Sequence, residues 1–231
     1  FVVCRAYFGQ SSLMALLHYQ PPTNPYLKII HRDNALVVVD KPAGLLSVPG
    51  KLLEHRDSVY TRLARIFPDI KLVHRLDMAT SGVMVFALGK AAQSHLSRQF
   101  QQRTPKKTYL AKVWGALPAD NGCIDLPLSC DWPNRPKQQV DFFNGKPSQT
   151  FYRVLKRQAQ GCTVKLSPYT GRSHQLRVHM LALNCPILGD KFYAHSAAFE
   201  AAERLLLHAF ELRITHPQTD QALTFTSPCP F

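Results

Sequence analysis

The chain has 231 residues, of which 45% are hydrophobic and 19% are charged, a composition that favours a folded globular protein and excludes a disordered chain. No stretch approaches the roughly 20 apolar residues that a membrane-spanning helix needs, so we expect no membrane protein. At about 150 residues per domain, the length predicts one large domain or two small lobes. The net charge of +13 indicates a polyanionic partner, most often nucleic acid.

The excess positive charge is concentrated in two blocks of sequence that contain no Asp or Glu. Residues 78–119 contain six Lys and Arg, and residues 142–189 contain seven. The rest of the chain is neutral in sum, whereas a protein that is merely soluble would mix the two signs throughout. The two blocks therefore predict one electrostatic surface that is assembled from two parts of the chain.

The cysteines form no CxxC motif, and their spacing fits neither a zinc ribbon nor a small disulfide framework. The six positions are Cys4, Cys123, Cys130, Cys162, Cys185 and Cys229. Scattered thiols of this kind are typical of a cytoplasmic protein, and that is the location we expect. Residues 1–24 make a poor signal peptide, and we treat them as an extension that precedes the domain at residues 25–231.

In the first half of the chain, the hydrophobic pattern predicts three strands and two helices. The strands cover residues 35–39, 82–88 and 108–113, and the helices cover residues 58–67 and 91–102. We expect Asp57 or Ser58 to cap the first helix, and Val59, Leu63 and Ile66 to lie on one face of it.

The second half begins with a loop-rich stretch at residues 125–136 and a hairpin turn signal at Asn144-Gly145. Strands at residues 150–155 and 162–166 are expected to pair with each other. A helix is predicted at residues 173–183, with Ser173 as its N-cap and Asn184 at its C-terminal cap. Strands at residues 205–215 and 222–226 complete the order.

Strands and helices are mixed in this order without a regular βαβ alternation. The pattern favours an α+β fold with a mostly antiparallel sheet over a doubly wound parallel one. The chain contains no G-x-G-x-x-G and no G-x-x-x-x-G-K-[ST], so no motif for a dinucleotide or a nucleoside triphosphate is present.

One candidate carboxylate lies in His74-Arg75-Leu76-Asp77, between a predicted helix and a predicted strand, and Thr80-Ser81-Gly82 follows it. Such a turn places Asp77 at the mouth of a sheet, beside small residues that let a ligand approach. The alternative is that Asp77 caps the following turn. Local sequence alone favours the cap, because Asp is a common turn residue.

A second motif, residues 168–177, is a tight loop that runs into a predicted helix. Its backbone N–H groups and its two arginines, Arg172 and Arg177, are suited to binding an anion. Because Arg177 lies beside apolar helix positions, we expect it to have a buried carboxylate partner, with a surface ion pair as the alternative. His174 and His179 are five residues apart, which does not suit a metal-binding helix face, so we predict no metal.

A third motif places an aromatic residue, Tyr109, directly after the basic pair Lys106-Lys107 and one threonine. Most aromatic residues in strands belong to a core. Basic residues next to an aromatic ring also suit a platform on which RNA bases stack.

These motifs, together with Asp40-Lys41-Pro42-Ala43-Gly44 and Leu188-Gly189-Asp190, resemble those of RluA-family pseudouridine synthases and occur in the same order. The resemblance covers about residues 26–231. It implies the pseudouridine synthase fold, with a mostly antiparallel mixed sheet in two lobes, flanking helices and a central active-site cleft. Some relatives have an N-terminal RNA-binding domain, and we expect none here, because the segment before residue 25 is too short for it. The segment at residues 130–147 resembles the dual-specificity member, which acts on a 23S rRNA hairpin loop and on tRNA anticodon stem-loops.

The resemblance implies an isomerase without a cofactor, acting as a monomer on RNA. Asp77 matches the family's catalytic aspartate, as a nucleophile or as a base, and is expected to be buried. Arg177 matches its basic partner, and Tyr109 the tyrosine that stacks on the target base. Arg75 matches an arginine that fills the gap left by an extruded uridine. The other residues expected to contact RNA are Lys106, Lys107, Arg135, Lys137, Arg172 and His174.

Two other interpretations remain at this stage. The first is an RNA-binding module on the same fold without turnover, which the presence of Asp77, Tyr109 and Arg177 argues against. The second is a hydrolase that uses Cys162 or Cys185 with a histidine, for which the sequence contains no motif.

Overall fold

The computed structural model describes residues 19–231, and a ten-stranded, mostly antiparallel sheet is its central feature. The first eighteen residues of the predicted N-terminal extension lie outside the described residues. The sheet strands are β1 (Lys28–Arg32), β2 (Leu36–Lys41), β3 (Ile70–Leu72), β4 (Ser81–Leu88), β5 (Lys106–Trp114), β6 (Asn121–Asp125), β9 (Gln149–Gln158), β10 (Gly161–Pro168), β11 (Leu207–Thr215) and β12 (Ala222–Thr226); β7 (Leu128–Cys130) and β8 (Gln138–Val140) form a separate hairpin. The helices are α1 (Val59–Ala64), α2 (Gly89–Gln102), α3 (Gln175–Ala182) and α4 (Ser196–Glu200).

The sheet has the strand order β1-β2-β4-β11-β5-β10-β9-β6, with β3 beside β4 and β12 beside β11. Among the described strands, β4 and β11 form the parallel pair, at the middle of the order. Gly82 at this junction has φ +112°, and a Cβ there would lie 2.2 Å from the Ala209 carbonyl oxygen. Glycine is therefore required where the two halves of the sheet meet, because a side chain would push β4 and β11 apart.

The two halves of the sheet have separate hydrophobic cores. In the first half, the continuous apolar runs of β2 and β4 are buried on both faces, since α1 packs on one face and α2 on the other. In the second half, β5, β9 and β10 alternate, and their apolar face packs against Leu176 and Met180 of α3. The expected α+β fold with a mostly antiparallel sheet is confirmed.

The helix ends differ from the sequence predictions at two places. Ser58 caps α1 in a capping box with Thr61. The helix ends before residue 67, so the prediction that Ile66 shares a helix face with Val59 and Leu63 was wrong; Ile66 lies beyond the helix and is 63% exposed. The prediction that Ser173 caps α3 was also wrong. His174 occupies the N-cap with φ 52° and no side-chain cap; the Gln175 side chain instead closes the preceding loop through Thr170 and Arg172.

The middle of the chain is more regular than predicted. Asn144-Gly145 is not a hairpin turn, because the strands on either side of it, β8 and β9, do not pair; it closes a turn in which the Gly145 N–H donates to the Asp141 carbonyl at 3.0 Å. The hairpin in this region is β7–β8, which interrupts the predicted loop. Strands β1, β3 and β6 and helix α4 were not predicted.

Within residues 19–231, no helix has the length and hydropathy to cross a bilayer.

Candidate active site

A cleft of about 940 Å³ lies where the two halves of the sheet meet. The turn before β4, the C-terminal end of α2, the start of β5, the β7–β8 hairpin and the loop before α3 all contribute to its walls. Both acid-free sequence blocks therefore contribute to one surface, as the charge distribution predicted. Among the predicted site residues, Arg75, Asp77, Lys107, Tyr109, Arg135, Arg172 and His174 line this cleft.

Asp77 does not use its carboxylate as a turn cap. Its backbone carbonyl accepts the Thr80 N–H at 3.1 Å, so the side chain is free to interact elsewhere. The carboxylate oxygen Oδ2 lies 3.4 Å from Nη1 of Arg177 and 4.0 Å from Nε2 of His174, while Oδ1 has no hydrogen-bond partner among residues 19–231. The side chain is 29% exposed, so the expectation of a buried Asp77 was wrong: the carboxylate opens into the cleft.

Arg177 has a buried acidic partner, and that partner is Asp190. Its Nε and Nη2 donate to the two Asp190 carboxylate oxygens at 2.7 and 2.6 Å, and the Asp190 side chain is fully buried. This two-pronged contact leaves Nη1 to face Asp77. Burial alone would lower the pKa of Arg177, but the hydrogen bonds and charge of Asp190 outweigh burial and raise it.

Asp190 is itself fixed by the backbone that follows it. Its Oδ1 accepts the N–H groups of Phe192 and Tyr193 at 2.9 and 3.2 Å. The rings of these two residues lie 5.2 and 5.0 Å from the Arg177 guanidinium carbon, a cation–π arrangement. Sequence reasoning quoted Asp190 as part of a motif and gave it no role, although it is the first acid after the block at residues 142–189.

Lys41 is a second functional residue that sequence reasoning left without a role. Its fully buried side chain donates to the carbonyls of Pro42, Leu45 and Met78 at 2.9, 2.6 and 3.0 Å. Burial lowers the pKa of Lys41 to about 7, and the charge of Asp77 opposes that shift. Since Met78 adjoins Asp77, this lysine ties the loop after β2 to the turn that bears the carboxylate.

Tyr109 lies on the face of β5 that is directed into the cleft. Burial and then the charge of Asp77 raise the pKa of its hydroxyl, so the phenol stays neutral. Among the described residues the hydroxyl has no hydrogen-bond partner, which leaves it available to a ligand. The ring also packs against both hydrophobic cores that meet here.

His74 forms part of the cleft wall and was not predicted as a site residue. Its ring stacks on Phe100 at 4.7 Å with an interplanar angle of 16°, and its Nε2 accepts the Val85 N–H at 3.1 Å. Burial, and then the nearby Lys107, lowers the pKa of His74 to about 3. This neutral ring therefore holds the C-terminal end of α2 against the turn before β4.

The basic residues of the cleft differ in how firmly they are held. Lys107 donates to the Thr170 carbonyl at 3.1 Å, and burial, followed by repulsion from Arg103, lowers its pKa to about 8. The Arg135 guanidinium lies 4.6 Å from the Trp132 ring, and Arg75 is exposed. The Arg172 Nε donates to the Pro147 carbonyl at 3.4 Å.

Two predicted RNA contacts lie outside the cleft. Lys106 lines a neighbouring groove that also contains Lys165 and Arg213, and it does not contribute to the cleft wall. Lys137 precedes β8 at the tip of the hairpin and does not contribute to the cleft wall.

The hydrolase interpretation finds no support in this geometry. Cys162 and Cys185 are both 2% exposed and belong to the core beneath α3. Burial raises the pKa of Cys185, which disfavours the reactive thiolate. Among residues 19–231, no group of three or more His, Cys, Asp or Glu side chains is arranged to hold a metal ion.

Comparisons with known proteins show the family of this chain. The sequence profile of the RNA pseudouridylate synthase family matches residues 35–182, which is more than half of the chain. The chain belongs to that family, an assignment that confirms the resemblance. Its activity class is the isomerisation of uridine to pseudouridine in RNA, and the non-catalytic RNA-binding interpretation is not favoured.

Individual relatives are similar over most of the chain. The dual-specificity RNA pseudouridine synthase RluA of Escherichia coli is 57% identical over 94% of this chain and 100% of its own length. The protein of the same name from Vibrio vulnificus is 54% identical over 94% of this chain and 89% of its own. The structure of human RNA pseudouridylate synthase domain containing 1 matches with a TM-score of 0.76 and 30% identity, covering 92% of this chain and 87% of that one.

The Arg177–Asp190 pair leads to a prediction about stability. We expect Asp190→Asn to lower the free energy of unfolding by about 3 kcal/mol, because the buried guanidinium loses its charged partner. Urea denaturation at neutral pH measures this change. Asp120→Asn is the matched control, since Asp120 pairs with Arg157 at an exposed site, and its unfolding midpoint should stay close to that of the wild type. Equal midpoints for the two variants would contradict the assigned role of Asp190.

Proposed function

We propose that this chain converts uridine to pseudouridine in both 23S rRNA and tRNA, with Asp77 as the catalytic carboxylate. The observation on which the proposal rests is the placement of Asp77 in the basic cleft, with Oδ2 facing Arg177 and Oδ1 free. The words "dual-specificity" in the names of the relatives support two kinds of RNA substrate. The resemblance of residues 130–147 to the dual-specificity member is the reason for proposing a 23S rRNA hairpin loop and tRNA anticodon stem-loops.

The reaction breaks the N1–C1′ bond of uridine and forms a C5–C1′ bond, while C5 loses a proton and N1 gains one. No redox step, phosphate transfer or net hydration occurs, so the proposal includes no cofactor. Whether Asp77 attacks the sugar or removes a proton from it, it needs an unprotonated oxygen directed at the substrate. Oδ1 is the oxygen available for this step, because Arg177 and His174 lie beside Oδ2.

Tyr109 and Arg75 are assigned to the extruded base and to the space it leaves. Removing a uridine from its stack costs a few kcal/mol. The Tyr109 ring offers a stacking surface, and its neutral hydroxyl is suited to proton transfer at C5. The exposed Arg75 side chain, next to the turn that presents Asp77, replaces the lost stacking in the RNA.

The basic residues of the cleft supply the phosphate contacts that offset this cost. Lys107, Arg135 and Arg172 lie along its walls, and Lys106 and Lys137 extend the basic surface beyond it. Residues 25–231 act as one catalytic domain, because one sheet joins β1 to β12. We propose that the protein acts as a monomer, since the cleft is formed by a single chain, and that it acts in the cytoplasm.

Pseudouridine mapping in cells tests the catalytic role of Asp77 and the two substrates together. In cells that lack this protein, we expect pseudouridine to be absent from one 23S rRNA hairpin loop and from certain tRNA anticodon loops. The wild type should restore both modifications, whereas Asp77→Asn should restore neither, because its amide cannot act as nucleophile or base.

Asp120→Asn serves as the control for a charge removed far from the cleft, and it should restore both modifications. Purified Asp77→Asn should still bind the stem-loop RNA. Modification of both RNAs by Asp77→Asn would remove Asp77 from the mechanism. Loss of pseudouridine from one RNA class alone would contradict dual specificity.

The lowered pKa of Lys107 predicts a pH dependence of RNA binding. As the pH rises through about 8, Lys107 loses its charge in the free protein and one phosphate contact weakens. We expect the affinity of the wild type for a stem-loop RNA to fall several-fold more between pH 7 and pH 9 than the affinity of Lys107→Arg, whose guanidinium stays charged. Fluorescence anisotropy at constant salt measures both. Equal losses would show that Lys107 does not contact RNA.

A further inference from the structure

The catalytic carboxylate and the β7–β8 hairpin are connected through a single phenol, that of Tyr193. The Tyr193 hydroxyl accepts the backbone N–H of Gln138, the first residue of β8, at 2.8 Å. The same oxygen lies 2.6 Å from Nδ1 of His174. His174 in turn presents Nε2 to the carboxylate of Asp77 at 4.0 Å.

The donors and acceptors in this series of contacts determine the tautomer of His174. A phenol has one proton to donate, and the Gln138 N–H already donates to its oxygen. Among residues 19–231, the acceptor within reach of the Tyr193 proton is Nδ1 of His174. Nδ1 must then be unprotonated, which places the proton of a neutral imidazole on Nε2, the nitrogen that faces Asp77.

The surroundings of the ring support a neutral, oriented imidazole. Burial lowers the pKa of His174, and the charges of Asp77 and Arg177 act on it in opposite directions. The ring stacks on Phe192 at 5.8 Å with an interplanar angle of 19°. Its backbone has φ 52°, the left-handed region that residues with a Cβ seldom adopt, and such conformations concentrate at functional sites.

We infer that His174 is a positioning residue, held by Tyr193 as the Nε2–H tautomer so that it and Arg177 both engage Oδ2 of Asp77 and leave Oδ1 as the reacting oxygen. This inference rests on the proposed function and replaces the expected contact of His174 with RNA. The distance of 4.0 Å exceeds a hydrogen bond by about 1 Å, and contacts of this kind commonly tighten when the substrate binds.

The hairpin makes that tightening dependent on RNA. Arg135, Pro136 and Gln138 line the cleft, so RNA in the cleft contacts the segment whose backbone holds the Tyr193 hydroxyl. The link orients the imidazole when the hairpin is in place, and it thereby couples binding at the rim to the geometry of Asp77.

Nitrogen NMR of the free protein tests the tautomer without reference to activity. In the ¹⁵N-labelled wild type at neutral pH, we expect His174 to show an unprotonated Nδ1 and a protonated Nε2. In Tyr193→Phe this preference should be lost and the two nitrogen shifts should move towards each other. The control is Tyr60→Phe, which removes a hydroxyl from a tyrosine at the α1 core and should leave His174 unchanged.

Single-turnover kinetics test whether the orientation of His174 affects the rate of pseudouridine formation. Tyr193→Phe should slow pseudouridine formation by about tenfold with RNA affinity unchanged within about twofold, since one oriented donor near the reacting group is weakened. His174→Asn, which tolerates the left-handed backbone and keeps an N–H donor, should retain more activity than His174→Ala.

Three results would overturn the inference. They are a protonated Nδ1 in the wild type, a rate for Tyr193→Phe equal to that of Tyr60→Phe, and equal rates for the two His174 variants. Failure of the proposed function would give a different result. The wild type would then form no pseudouridine at all, while NMR would still report the tautomer of His174.

Discussion

The two-pronged contact between Arg177 and Asp190 is the constraint on which the active site depends. A guanidinium on α3 with 4% of its side chain exposed would be costly to bury without a charged partner. Asp190 satisfies two of its nitrogens and orients the third towards Asp77. The carboxylate of Asp77 is therefore placed beside a cation whose own position does not depend on it, and it can open towards a substrate without leaving a buried charge unpaired.

The opposite side of the cleft is fixed by hydrogen bonds to backbone carbonyls rather than by a second ion pair. Lys41 and Ser47, from the loop after β2, hold the backbone on each side of Asp77: Ser47 donates to the Leu76 carbonyl at 2.6 Å, and Lys41 donates to Met78. These contacts and Arg177 act on the same residue, Asp77, because the two halves of the sheet lie close together where β4 and β11 pair at Gly82. Two rigid halves thus present one aspartate, one tyrosine and a basic rim to RNA.

Much of this arrangement could be predicted from the sequence, since the signals were local. The apolar runs of β2 and β4 and the periodicity of α2 are visible without tertiary information, and the acid-free blocks predicted a shared surface. The motif residues do come together: Asp77 and Tyr109 line the cleft, and Arg177 lies 3.4 Å from the Asp77 carboxylate. Strand β1 was missed because its residues are mostly exposed and show no apolar alternation.

Spacing could not predict the supporting contacts, because they join residues distant in sequence. Asp77 and Arg177 are 100 positions apart, and Lys41 and Met78 are 37 apart. The resemblance to the family paired Asp77 with Arg177, and nothing in the sequence analysis paired Lys41 with Met78. The N-terminus of α3 was misplaced because His174 adopts a left-handed backbone, which no local preference favours. The same distortion directs its ring towards Asp77, so the error in the helix boundary coincides with a feature of the site.

The most direct test of the central claim is the single-turnover rate of uridine isomerisation by Arg177→Lys on a stem-loop RNA. Lysine keeps the positive charge but cannot bond both Asp190 oxygens and also face Asp77. If the orienting guanidinium positions the carboxylate, the rate should fall by about 100-fold while RNA affinity stays near that of the wild type. A rate within twofold of the wild type would contradict the account.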